Sequence, residues 1–129
     1  MSESPQQGPG AIVWADLTVP DAEKLRDFYS AVVDWRSEDV DMEGYADFSM
    51  TAAESGDVVA GICHARGLNA DLPSVWMLYI LVENLDTSVA RCVELGGRCL
   101  VDPRRMGKDR YCVIRDPAGA VCALYQKGS

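Results

Sequence analysis

Three features are scarce in this chain of 129 residues, and each scarcity argues against a class of protein. It has one histidine, His64, so a single chain cannot build a site from two imidazoles and a carboxylate. Its longest apolar run, Val75 to Val82, is far too short to cross a bilayer. Its formal net charge of −8 argues against nucleic acid as a partner, because phosphate binding needs clustered Lys and Arg.

Cysteine pairs with metal-binding spacing are also lacking. The five cysteines contain no CxxC pair, which argues against a cysteine-based zinc site. Residues 2–10 are polar and have neither the basic start nor the apolar core of a secretion signal. We therefore expect a cytoplasmic protein with reduced thiols, not associated with membranes.

The composition is that of one globular domain. Apolar residues make up 48% and charged residues 25% of the chain, which suits a packed core. The segment rich in Pro, Gly and Gln predicts a loose tail over residues 1–10, so the domain should occupy residues 11–128.

The pattern of apolar residues predicts the same order of elements twice. In each half a strand precedes a capped helix, with Asp21 as the first cap and Asn84 or Asp86 as the second. Three strands follow each helix, and the halves span residues 11–65 and 74–128. The predicted strands are 12–19, 36–40, 47–53 and 58–64, then 75–82, 98–101, 110–115 and 120–126. The fold class is α+β with two βαβββ modules; a ferredoxin-like sandwich explains fewer of these strands.

Three segments resemble a known superfamily. They are Trp14 to Asp21 with Asp27-Phe28-Tyr29 and Val33-Asp34-Trp35, then Val82 to Asp86, and finally Asp116 to Val121 running on to Gln126. Together they resemble the vicinal-oxygen-chelate superfamily, which includes glyoxalase I, bleomycin-resistance proteins and extradiol dioxygenases. They are most similar to its single-domain, glyoxalase-like subgroup, whose members are also labelled hydroxylases. The resemblance implies two modules that form a cupped mixed sheet around a cavity.

The resemblance also locates the positions that bind metal in other members of the superfamily. Carried over to this chain, they fall at Trp14, about Gly61, Met77 and Ala123. None of these side chains is a His, Glu or Asp. We therefore expect no metal and no other cofactor.

Alternation along the strands extends those four positions to a set of cavity-facing residues. Most are apolar or aromatic, and Asp16 adds a carboxylate, which is the chemistry of a small-molecule pocket. The predicted ligand-binding residues are Trp14, Asp16, Gly61, Cys63, Met77, Tyr79, Ala123 and Tyr125. Cys63 and His64 should point to opposite faces of a strand, so they should not form a catalytic pair, and His64 should lie at the rim or surface.

Three functions fit these residues. The preferred one is a metal-independent protein that sequesters or senses a small, partly aromatic molecule, as bleomycin-resistance proteins do without chemistry. The second is an enzyme of the same superfamily, with Asp16 as general base and Tyr79 or Tyr125 as acid. The third is a vestigial domain kept for dimerisation. We expect a homodimer in each case.

Overall fold

The computed structural model describes residues 8–128, apart from the side chain of Leu68. The chain divides into two compact units, residues 14–76 and residues 77–128 together with 8–13. Of the predicted tail, residues 1–7 lie outside the described part, whereas Gly10 donates its N–H to the carbonyl oxygen of Leu81 over 2.7 Å. Among the described helices, none has the length and apolar character needed to span a membrane.

The first unit is built from one helix and a four-stranded mixed sheet. Its elements are β1 (Ile12–Val19, of which residues 14–19 belong to this unit), α1 (Ala22–Val33), β2 (Trp35–Asp41), β3 (Ala46–Ala52) and β4 (Val58–His64). The strand order is β2-β3-β4-β1, with β1 and β4 parallel and the other pairs antiparallel. Asp21 caps α1 as predicted, since its Oδ1 accepts the N–H of Lys24 over 3.2 Å.

The second unit repeats this plan. Its elements are β5 (Trp76–Leu81, of which residues 77–81 belong here), α2 (Leu85–Glu94), β6 (Arg98–Met106), β7 (Asp109–Arg115) and β8 (Val121–Gln126). The order is β6-β7-β8-β5, with β5 and β8 parallel. Asn84 is the cap of α2, because its Oδ1 accepts the N–H of Thr87 over 3.0 Å. The prediction of an α+β fold with two βαβββ modules is confirmed.

In each unit the helix covers only one face of the sheet. In the first, Leu17, Phe48 and Ile62 pack towards α1, together with Ala22 of that helix. In the second, Cys112 and Leu124 pack against Leu85 of α2. Since side chains alternate across a strand, the intervening residues share the opposite face, which we call the helix-free face. In the first unit it carries Trp14, Asp16, Thr18, Gly61 and Cys63, and in the second Met77, Tyr79, Tyr111, Val113, Ala123 and Tyr125.

Strand β6 differs from its predicted course. The strand was predicted to end at residue 101, but it continues to Met106, with a bulge at Asp102-Pro103. Val101 lies opposite Val113 and Arg104 lies opposite Tyr111, so three steps along β6 match two along β7. A bulge accommodates proline in a strand because the extra residue needs no ladder hydrogen bond.

The apolar stripe of α1 is buried only in part. Ala22 is fully buried, but Phe28 and Val32 are 53% and 60% exposed. Only the side of the helix that carries Ala22, Leu25 and Tyr29 packs on the core.

Close packing at the end of α2 gives a test of the second unit. A Cβ added at Gly97 would lie 2.5 Å from Sγ of Cys92 and 2.9 Å from the carbonyl oxygen of Arg115. We expect Gly97→Ala to lower the free energy of unfolding by about 1–3 kcal/mol, as overpacking does. Urea unfolding measures the change, and Gly8→Ala, whose Cβ would have no neighbour within 4 Å, is the matched control. Equal stability of the two variants would contradict the described packing.

Candidate functional site

The helix-free face of the first unit places an indole ring beside a carboxylate. Asp16 and Gly61 are direct partners in the parallel β1–β4 pair. A Cβ built on Gly61 would lie 3.3 Å from Cζ2 of Trp14 and 3.3 Å from Cβ of Asp16. The ring of Trp14 therefore lies against the backbone of Gly61, which has no side chain to displace it. Asp16 is buried and Trp14 is half-buried.

A thiol lies next to this group. Cys63 is the register partner of Thr18. Burial raises the pKa of the Cys63 thiol, and the negative charges of Asp16 and Asp47 and a hydrogen bond with Asp47 raise that pKa further. The thiol is thus neutral at physiological pH and is a poor nucleophile.

Asp47 also interacts with His64, the single histidine of the sequence. Its Oδ1 accepts the backbone N–H of His64 over 2.8 Å and lies 3.2 Å from Nδ1 of that residue. The ring of Tyr45 meets the imidazole edge-on at 5.6 Å between centroids, and the guanidinium of Arg66 stacks 3.7 Å from the centre of the Tyr45 ring. His64 is therefore a half-buried, oriented residue at the end of β4. Cys63 and His64 do not pair directly, but they share Asp47, a role that the sequence did not indicate.

The helix-free face of the second unit is rich in tyrosine. The rings of Tyr79 and Tyr111 are 6.3 Å apart between centroids, and Tyr79 lies opposite the fully buried Ala123. Tyr111 lies opposite Tyr125, whose hydroxyl donates to the carboxylate of Asp109. That hydrogen bond raises the pKa of Tyr125 to about 12 and lowers the pKa of Asp109, which also accepts the N–H of Gly128.

The four positions that correspond to metal ligands do not fit a metal ion. In the first unit they hold an indole and a glycine, Trp14 and Gly61; in the second they hold Met77 and Ala123, both buried. None offers the carboxylate oxygen or imidazole nitrogen that such sites use. Within residues 8–128 no group of three or more His, Cys, Asp or Glu side chains is arranged to hold an ion.

A groove of about 480 Å³ lies on the helix-covered side of the first unit and was not anticipated from the sequence. At one wall, Nε1 of Trp76 donates to the hydroxyl of Tyr29 over 3.1 Å. The lining residues are Leu17, Val19, Pro20, Asp21, Leu25, Tyr29, Ser74 and Trp76. Since Leu17 and Val19 point away from the face of Trp14 and Asp16, this groove is separate from the predicted ligand-binding residues.

Comparison with known proteins assigns the family. The model of the Glyoxalase/Bleomycin resistance protein/Dioxygenase superfamily matches residues 11–124. The chain belongs to this superfamily. The anthracycline biosynthesis protein DnrV of Streptomyces peucetius is 29% identical over 93% of the chain and 48% of its own length. The "putative glyoxylase" CFP32 of Mycobacterium tuberculosis is 30% identical over 88% of the chain and 44% of its own length. The chain thus spans about half the length of these curated relatives.

Solved structures agree on the fold. A methylmalonyl-CoA epimerase of Streptomyces coelicolor in complex with 2-nitronate-propionyl-CoA superposes with a TM-score of 0.61 at 16% identity, covering 95% of this chain and all of the epimerase chain. The epimerase of Mycobacterium tuberculosis gives 0.55 at 18% identity, over 93% of this chain and 89% of its own. At such identities the likeness shows the glyoxalase-like fold alone.

The Tyr125–Asp109 hydrogen bond predicts how stability depends on pH. Because the pKa of Asp109 is lowered from its ordinary value of 3.8, its contribution to stability is full above that pH and is lost as the pH falls through the lower folded value. Because the pKa of Tyr125 is raised from 10 to about 12, its contribution is full below pH 10 and is lost as the pH rises towards 12.

We therefore expect the stability difference between the natural protein and Tyr125→Phe to be largest between these limits and to shrink below about pH 4. Urea unfolding over a pH series measures it. Asp109→Asn, which removes the titrating carboxylate, should flatten the acid part of the profile. A difference that stays constant from pH 7 to pH 2.5 would contradict the assignment.

Proposed function

We propose that this chain is a metal-independent small-molecule-binding protein of the glyoxalase/bleomycin-resistance type, which sequesters or senses a planar, partly aromatic ligand. The observation that carries the proposal is the indole of Trp14 lying against Gly61 beside the buried carboxylate of Asp16. On the helix-free face of the second unit, the predicted residues Tyr79 and Tyr125 add two phenol rings, and Met77 and Ala123 are buried apolar residues beside them.

The charge of the first face favours a cationic group on the ligand. Asp16 and Asp47 are both buried, and both act electrostatically on Cys63. A buried carboxylate is stabilised by an opposite charge, because it has lost much of its hydration. An indole ring attracts a cation towards its face as well. A flat ligand with an amine can use both interactions.

The names of two relatives support an aromatic ligand. The DnrV and DauV proteins of Streptomyces are named anthracycline biosynthesis proteins. Anthracyclines contain a planar anthraquinone ring system, and many carry an amino sugar that is protonated at neutral pH. Such a molecule combines the ring and the cation that Trp14 and Asp16 would bind.

The groups needed for catalysis are less well placed than those needed for binding. The Cys63 thiol has a raised pKa, which disfavours the thiolate that nucleophilic chemistry requires. The hydroxyl of Tyr125 already donates to Asp109, and a pKa of about 12 makes it a weak general acid near pH 7. A binding role therefore fits better than acid–base catalysis by Asp16 and a tyrosine.

Replacement of Asp16 tests the proposed cation contact. We expect Asp16→Asn to weaken binding of an anthracycline that carries a protonated amino sugar by about 1–3 kcal/mol, the cost of losing a charge-assisted hydrogen bond. The aglycone, which lacks the amine, should bind both proteins with nearly equal affinity. Quenching of anthracycline fluorescence measures both affinities, and measurements in EDTA should give the same constants.

Asp39→Asn is the matched control, because Asp39 is an exposed carboxylate on β2. An equal loss in both variants would indicate general electrostatic attraction by an acidic protein rather than a site. The absence of saturable binding of either probe to the natural protein would contradict the proposal and favour the vestigial dimerisation domain.

We also expect a homodimer. The exposed Phe28 and Val32 on α1 are apolar surface that a partner copy can bury. Light scattering at micromolar concentration should report twice the mass of the chain, and a monomer at this concentration would contradict the expectation.

A further inference from the structure

A cation lies among the tyrosines on the helix-free face of the second unit. Arg104 of β6 lies opposite Tyr111 of β7, and Tyr111 in turn lies opposite Tyr125 of β8. Cross-strand partners project to the same side of a sheet. The bulge at Asp102-Pro103 keeps Arg104 on the side of Val101 and Val113, and simple alternation from Val101 would instead have put Arg105 there.

The guanidinium of Arg104 has at least one N–H group without a hydrogen-bond acceptor in the part of the chain that the structure describes. Its Nε is buried and has no hydrogen-bond acceptor within the described residues. Arg110, by contrast, contacts both carboxylate oxygens of Asp86 at 3.1 and 3.3 Å, and Arg26 contacts Asp27 at 2.9 Å. A buried N–H without an acceptor is unfavourable, and a bound anion supplies the missing acceptor.

We infer that Arg104 binds an anionic oxygen attached to the ring system of a planar aromatic ligand, such as a ring carboxylate, while the ring packs against Tyr111. The inference rests on the proposed binding function and deepens it, because it names the group that selects among aromatic ligands. A guanidinium fits a carboxylate through two parallel hydrogen bonds, and the half-buried ring of Tyr111, opposite Arg104, is flat and largely apolar.

Asp109, a carboxylate on the strand that carries Tyr111, is already engaged. Asp109 accepts hydrogen bonds from the Tyr125 hydroxyl and the N–H of Gly128, and the positive charges of Lys108 and Lys127 act on it. Its repulsion of an incoming anion is reduced by these partners. The helix-free face of the second unit therefore suits an anionic group, whereas the first, with Asp16 and Asp47, suits a cationic one.

Two probes of equal shape separate charge recognition from ring packing. We expect the natural protein to bind 2-naphthoate about ten- to a hundredfold more tightly than the neutral 2-naphthamide, the range of a charge-assisted hydrogen bond. Arg104→Gln should remove this preference and leave the affinity for 2-naphthamide almost unchanged. Arg105→Gln, which loses the same charge from the exposed neighbour on the other side of β6, should retain the preference. Isothermal titration calorimetry measures the affinities.

Stability without ligand is the second readout. If Arg104 binds a ligand, Arg104→Gln should unfold at the same urea concentration as the natural protein or at a higher one, since it removes a buried N–H without an acceptor. Clear destabilisation would indicate a structural role and overturn the inference.

Equal binding of naphthoate and naphthamide, unaffected by Arg104→Gln, would also overturn the inference while leaving the proposed function intact. Loss of the preference in Arg105→Gln would overturn it in favour of general surface charge. Failure of both probes to bind would remove the binding function from this face, and the inference with it.

Discussion

The structure depends on one constraint, namely that each four-stranded sheet is covered by a single helix. A helix can bury only one face of a sheet, and the pleat sends alternate side chains to the other face. The apolar residues that build each core, such as Leu17 and Leu124, thereby fix the positions of their neighbours Asp16 and Ala123. The residues available for binding are thus selected by the same packing that stabilises the fold.

The two helix-free faces use buried polar groups differently. In the first unit Asp47 orients His64, and burial together with Asp16 and Asp47 raises the pKa of Cys63, so Asp47 links the histidine to the thiol. In the second unit the polar groups include tyrosines and the carboxylate of Asp109, which accepts hydrogen bonds from Tyr125 and Gly128. They also include the guanidinium of Arg104, whose Nε–H has no acceptor among the described residues. Connected polar groups hold each other in place, whereas an unused donor gains most from an added acceptor.

Much of this arrangement could be predicted from local sequence signals. The bounds of β1 and β4, the caps Asp21 and Asn84 and the repeated order of elements follow from alternation and capping chemistry. The superfamily was predicted from motifs that the family comparison confirms. The roles of these residues in ligand binding stay predictions, although alternation did place Trp14, Asp16, Gly61 and Cys63 on one face.

What could not be predicted depends on contacts between distant residues. Asp47 lies 17 residues from His64, and no spacing rule marks such a pair. The residues Asp102-Pro103 favour a turn, but they also favour a bulge. Only the partner strand decides between the two, so the sequence alone could not. The side of the sheet reached by Arg104 depends on that decision, so it could not be assigned beforehand.

The parallel pairing of first and last strand has a consequence for folding. Asp16 pairs with Gly61, and Tyr79 pairs with Ala123, so each sheet is completed only when residues more than forty positions apart meet. The antiparallel hairpins β2–β3–β4 and β6–β7–β8 join near neighbours, and their loops cost less entropy to close. We therefore expect the strand pairs that carry Trp14, Asp16 and Tyr79 to form after the hairpins as the chain folds. On that expectation, the geometry of these residues would report whether a chain has finished folding.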